Sequence, residues 1–101
     1  MYVLENKAVK EIFDLLRKYG MSPTALAINI QIVPPRLSEV LKNKRRISPN
    51  TDLRLCRFFK KENGHFLRLQ IDYDLETALM KAEGAIEEIK TVDEVPASRK
   101  F

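Results

Sequence analysis

Apolar residues recur along most of the chain at helical spacing, and the breaks between runs fall on glycine, proline and asparagine. Ile12, Phe13, Leu16 and Tyr19 make one stripe of a first helix over Lys7–Tyr19. Asn6 is its N-cap and Gly20 its stop, because glycine enters the left-handed conformation without steric cost. Ser22-Pro23 opens a second, two-turn helix to about Ile30, with Leu26, Ala27 and Ile30 facing inward. Serine caps free N–H groups, and proline loses nothing at a first helical position. Pro34-Pro35 opens a third helix that buries Leu37, Val40 and Leu41 and stops near Asn43. The chain must break near Val33, since a residue before proline is pushed out of the helical region. Ser48-Pro49 starts a fourth helix whose wide apolar face holds Leu53, Leu55, Cys56, Phe58 and Phe59. Beyond the break at Lys60–Gly64, a long fifth helix is predicted to run to about Thr91. It carries Phe66, Leu67 and Leu69, then a seam of Leu75, Leu79, Ala82, Ile86 and Ile89 at spacings of four, three, four and three. Gly84 falls in the middle of that span, at a cost of roughly 1 kcal/mol relative to alanine. Val92–Phe101 reads as a loose tail, and Tyr2-Val3-Leu4 fits no periodic run beyond a short extended arm.

Length and composition narrow this all-α picture. A chain of 101 residues makes one domain with one modest core. No apolar run approaches the roughly 18–20 residues of a membrane span, and Met1–Asn6 lacks the features of a signal peptide. A cytoplasmic protein is expected. One cysteine excludes an internal disulfide and a multi-cysteine zinc site, and one histidine makes histidine-based catalysis a poor expectation. No cofactor, metal or enzymatic activity is predicted. Cys56 reads as a small buried hydrophobe and His65 as a surface or capping residue. The charge is divided along the chain. Residues 1–70 hold 14 Lys+Arg against 6 Asp+Glu, a net of +8, whereas residues 71–101 hold 4 against 8, a net of −4. A basic front suits a polyanion and an acidic rear suits a basic protein partner.

Ser22 to Arg46 is the informative stretch: two short helices, a tight turn, then the basic loop Lys44-Arg45-Arg46. Helices this short own no core, so they must pack steeply on helices one and four. Ala27 lets them approach closely, while Leu37 and Val40 anchor the second so that its opposite face projects. A helix about 10–12 Å across fits a B-DNA major groove roughly 12 Å wide, and its N-terminus offers a partial positive charge to phosphates.

Met21–Lys44 resembles the helix-turn-helix of lambda-repressor-like (XRE-type) regulators. Three runs are similar to the HigA/VapI antitoxin family: Met21-Ser22-Pro23-Thr24-Ala25-Leu26-Ala27, Val33–Leu41 and Asn43–Thr51. So are Leu53-Arg54-Leu55-Cys56-Arg57-Phe58-Phe59 and Phe66–Leu75, which generic helix-turn-helix regulators lack. The resemblance covers about Ile12 to Leu75. It implies a five-helix lambda-repressor-like DNA-binding domain over 1–75, with the helix-turn-helix at about 22–43, and a C-terminal helix extension and tail over 76–101. It implies an antitoxin that binds double-stranded operator DNA as a homodimer, autorepresses its operon, and neutralises a RelE/HigB-like mRNA-cleaving toxin by direct contact. The chain departs from the family pattern at Gln31, where glycine is usual, at Pro23, where glutamine is frequent, and at Phe66, where tryptophan is usual.

By position in the motif, Pro34, Pro35, Arg36 and Glu39 are candidates for base-edge contact. Arg36 suits guanine O6/N7 and Glu39 suits cytosine N4, while the prolines offer only apolar contact. Ser22, Thr24, Ser38, Lys42, Lys44, Arg45 and Arg46 are candidates for phosphate contact. Asp72, Asp74, Glu76, Glu83, Glu87 and Glu88 are candidates for toxin docking along the fifth helix. Two alternatives stand beside the antitoxin: a stand-alone XRE-type regulator, and a protein-interaction module with a degenerate helix-turn-helix, which Pro23, Gln31 and the double proline motivate.

Overall fold

The computed structural model describes residues 5–100 and contains five α-helices and no strand among them. They are α1 (Lys7–Lys18), α2 (Pro23–Asn29), α3 (Pro34–Leu41), α4 (Pro49–Phe59) and α5 (His65–Ala82). Two single 3₁₀ turns, Val92–Glu94 and Ala97–Arg99, follow. Tyr2-Val3-Leu4 lies outside the described residues.

Each start signal works as its chemistry requires. The Asn6 side chain accepts from the Ala8 and Val9 amides, Ser22 Oγ from Ala25, and Ser48 Oγ from Thr51. The ends of the first four helices share one device. Gly20, Gln31, Asn43 and Lys60 have φ of 60°, 62°, 59° and 57°. The amide one residue further on returns to a carbonyl of the last turn: Met21 to Leu16, Ile32 to Ala27, Lys44 to Glu39 and Lys61 to Cys56, at 2.8–2.9 Å. Gln31 and Lys60 therefore do the work of glycine, at a cost of roughly 1 kcal/mol each.

The core is one cluster. Ala27 is fully buried, with Leu37 1% and Val40 2% exposed, so the α2–α3 junction is closed as its residues demand. Leu26, Leu55, Cys56 and Phe66 fill the centre, and α5 packs on α1 and α4. Burial pushes the Cys56 thiol pKa up, which leaves the group a packed hydrophobe. The inward face of α1 differs from the predicted stripe. Ala8, Val9, Ile12, Leu15 and Leu16 are buried, whereas Phe13 and Tyr19 are exposed. Tyr19 instead lies over Phe59 at 6.3 Å between ring centroids. Leu53 of α4 is likewise exposed, since the core side of that helix is Leu55, Cys56 and Phe59.

The largest correction concerns α5. It ends at Ala82, not near Thr91. Glu83 and Gly84 take φ of 49° and 88°, so the glycine terminates the helix rather than sitting inside it. Only Leu75, Leu79 and Ala82 of the predicted seam are helical; Ile86 and Ile89 lie in turns beyond. Gln70 is the last buried residue of the described chain. The chain extends 60 × 34 × 22 Å, and its radius of gyration of 18.4 Å exceeds the about 13 Å of a compact chain this long.

Ala27→Leu should overpack the α2–α3 junction and lower stability by about 1–3 kcal/mol. Thermal unfolding followed by circular dichroism reads this, and an unchanged midpoint would show that the junction is not close-packed.

Candidate nucleic-acid interface

Two buried polar side chains organise the end of the molecule that carries the basic loop. The first is Asp52 on α4, 1% exposed. Gly64, the N-cap of α5, has no side chain to cap with. Asp52 supplies the cap from a neighbouring helix. Its carboxylate accepts from the Gly64 amide at 2.6 Å, from Phe66 at 3.0 Å and from Leu67 at 3.1 Å. A negative group there also meets the positive end of the α5 dipole.

The second is Gln70 on α5, 3% exposed. Its Oε1 accepts from the Ile47 amide at 2.8 Å and its Nε2 donates to the Ile47 carbonyl at 3.0 Å. Both ends of the side-chain amide are satisfied, so the backbone just after Arg46 is held as by a neighbouring strand. Asn6 Nδ2 donates to Asn43 Oδ1 at 3.0 Å at the other end of the loop. The basic loop is thus tied to α1 and α5 rather than free.

On this frame α3 presents Pro34, Pro35 and Arg36 to solvent, while Leu37, Val40 and Leu41 anchor it. Ser38 and Glu39 are half-buried, and Lys42, Lys44, Arg45 and Arg46 are exposed. Ser22 and Thr24 are exposed at the start of α2, with Ser22 Oγ engaged as the helix cap. Arg36 has no ion-pair partner among the described residues. Glu39 is paired with Arg45 Nε at 2.9 Å. Arg46 is paired with Asp74 of α5 at 2.6 Å. The double proline removes two backbone N–H groups from the first turn of α3, and the Arg36 amide is used by the Val33 carbonyl at 3.0 Å. That helix end therefore offers phosphates fewer backbone donors than an ordinary N-terminus would.

The acidic candidates are not gathered on one helix. Asp72 and Glu76 are exposed on α5, Glu83, Glu87 and Glu88 are exposed beyond its end, and Asp74 is half-buried against Arg46. Nearby apolar residues are open to solvent: Ile71 53%, Leu75 59%, Leu79 54%, Ile86 51% and Ile89 68%. Three residues central to the site escaped the sequence reading. Asp52 and Gln70 are polar residues on core faces; Gln70 stands four after Phe66, and that spacing was the available signal. Arg54, whose guanidinium donates to the Ile30 carbonyl at 3.0 Å and closes α2, carries no such signal. Among the described residues no cluster of histidine, cysteine, aspartate or glutamate is suited to a metal, and no helix is long and apolar enough to cross a membrane.

A short second helix, a left-handed turn and an anchored third helix with an exposed outer face define a helix-turn-helix protein. The comparisons give the family. The chain is 30% identical to an addiction module antidote protein of the HigA family from Coxiella burnetii, with a TM-score of 0.79 over 89% of this chain and 98% of that one. It belongs to the HigA family. The Pseudomonas aeruginosa antitoxin HigA, solved with the higBA promoter, is 25% identical, with a TM-score of 0.80 over 89% of this chain and 99% of that one. Virulence-associated protein I of Dichelobacter nodosus is 35% identical over 65 residues, 64% of this chain. The chain matches 60% of that relative's length. No protein-family model matches.

The Gln70 clamp predicts a protected Ile47 amide in hydrogen exchange. Gln70→Ala should abolish that protection and cost about 1–3 kcal/mol, the price of two unsatisfied backbone groups partly relieved by water. Unchanged exchange at Ile47 would show that the loop holds itself.

Proposed function

We propose that this protein is the antitoxin of a type II toxin–antitoxin module and represses its own operon in the cytoplasm. The α3 helix enters the major groove of operator DNA, Arg36 reads a base, and the α3–α4 loop with the start of α2 grips phosphates. The observation that carries this reading is Arg36: exposed and without an ion-pair partner among the described residues, on a helix pinned by Leu37 and Val40, in a member of the HigA family. The relative from Pseudomonas aeruginosa was solved with its promoter, which supports the same use of the fold here. The protein acts by binding and not as a catalyst.

A single short reading helix covers too few base pairs to be selective alone. We therefore read the active form as a homodimer on a pseudo-palindrome with half-sites roughly 34–36 Å apart. Residues 1–75 form the DNA-binding domain and 76–101 an extension. The exposed Leu75 and Leu79 stripe, continued by Ile86 and Ile89, is apolar surface that a partner would cover. The acids around it, Asp72, Glu76, Glu83, Glu87 and Glu88, suit a basic RelE/HigB-like ribonuclease, with charge speeding encounter and apolar contact setting the lifetime. The paired Glu39 and the double proline favour a second reading, a protein-interaction module whose helix-turn-helix no longer selects sequence.

Anisotropy titrations on operator and random duplexes separate the two. Arg36→Ala should lose about 1–3 kcal/mol on operator only. Lys44→Ala should weaken both duplexes and flatten the log–log salt slope by about 0.9. Equal losses on both duplexes for Arg36→Ala would assign that residue to the DNA backbone and favour the second reading. Truncation after Leu75 tests the extension: loss of toxin neutralisation in a growth-rescue assay, with folding and DNA binding retained, is the expected result. A truncated protein that stays dimeric and still rescues growth would remove the extension from the toxin interface.

A further inference from the structure

Two of the three cations in the basic loop are already neutralised. Arg45 is paired with Glu39 of α3, and Arg46 with Asp74 of α5. The second pair is built into the scaffold. Asp74 lies one turn beyond Gln70 on α5, and Gln70 fixes the backbone of Ile47, next to Arg46. The Asp74 side chain is 26% exposed and that of Arg46 is 76% exposed, so the carboxylate is the enclosed member of the pair and the guanidinium the open one. Asn6, Asn43, Lys44, Gln70 and Tyr73 line, with both members of the pair, an open cleft of about 90 Å³.

We propose that Asp74 competes with DNA phosphate for Arg46 and so sets the strength and salt dependence of DNA binding. The inference rests on the DNA-binding reading above. A guanidinium with a carboxylate oxygen at 2.6 Å presents a phosphate with a nearly neutral dipole rather than a full charge. Taking up the phosphate means either breaking the existing pair or holding two anions side by side. Either way the contact contributes less than that of a free arginine. Asp74 is thus an affinity-setting residue in a part of the chain outside the helix-turn-helix.

The test is a double-mutant cycle on the full chain, with Asp74→Asn, Arg46→Ala and the double variant, on operator and random duplexes between 50 and 200 mM salt (a range over which phosphate contacts are roughly resolved). Asparagine keeps the volume of aspartate, and circular dichroism checks the fold of each variant. Asp74→Asn should bind both duplexes about 1.4- to fivefold more tightly, the range that corresponds to an exposed pair. Its log–log salt slope should steepen by up to about 0.9. In the Arg46→Ala background the gain should shrink to the small screened effect of one charge. Binding that is weaker or unchanged in Asp74→Asn, while the wild type binds normally, would overturn the proposal and make Asp74 an orienting partner or a bystander. A gain that persists undiminished without Arg46 would overturn it as well. A wild-type protein that binds neither duplex at the lowest salt would remove the DNA-binding reading itself, and the proposal with it.

Discussion

The buried carboxylate of Asp52 is the constraint on which the arrangement depends. Three backbone amides at the start of α5 converge on it. It fixes where α5 leaves the core. From that point Gln70 reaches Ile47 and Asp74 reaches Arg46, one and two turns further along. The loop so placed leads directly into Ser48, the cap of α4, and follows the end of α3. The position of α3 is therefore set from both sides: by Ala27, Leu37 and Val40 below it, and by a chain of polar contacts that begins at Asp52. An isolated α3 of eight residues would not hold a helix in water. Its order is borrowed from this frame.

The same frame explains why the molecule has two unlike ends. Up to Gln70 the chain buries most of its apolar residues in one cluster and closes four helices with left-handed caps. Past Gln70 none of the described residues is buried, and Ile71, Leu75 and Leu79 stand in solvent on a helix that continues past the core. On the function proposed above, this exposed apolar stripe is the surface that a partner would cover. The division of charge follows the same line, with basic residues on the compact part and acidic residues on the extension.

Much of the fold was legible because short helices need strong local signals. Ser22-Pro23, Pro34-Pro35 and Ser48-Pro49 marked three starts, Asn43 the stop of the third helix, and Ala27, Leu37 and Val40 the junction, while the left-handed turn at Gln31 stood only as a departure from the family's glycine. Errors came where periodicity was followed without regard to what lies opposite. Phe13, Tyr19 and Leu53 fit an apolar stripe, yet all three are exposed, and Tyr19 reaches only the edge of the core by lying over Phe59. The seam from Leu75 to Ile89 has the right spacing, but without packing the helix stops where Glu83 and Gly84 turn left-handed. The loop cations were visible as charges; their pairing with Glu39 and Asp74 was not, since it joins residues 6 and 28 apart in the chain. Asp52 was hidden for the opposite reason, since a polar residue on a core face adds nothing to an apolar stripe, and Gln70 was marked only by its spacing of four from Phe66.

The central claim is that DNA is bound by α3 and the loop that α5 holds in place. Amide chemical-shift mapping of the ¹⁵N-labelled protein with a duplex from upstream of its own gene tests it most directly. The largest changes should fall on Arg36, Glu39 and Lys42–Arg46, with smaller ones at Ser22–Thr24 and at Asp74 as its partner is drawn away. Changes concentrated on Ile71–Ile89, with α3 and the loop unmoved, would contradict the account.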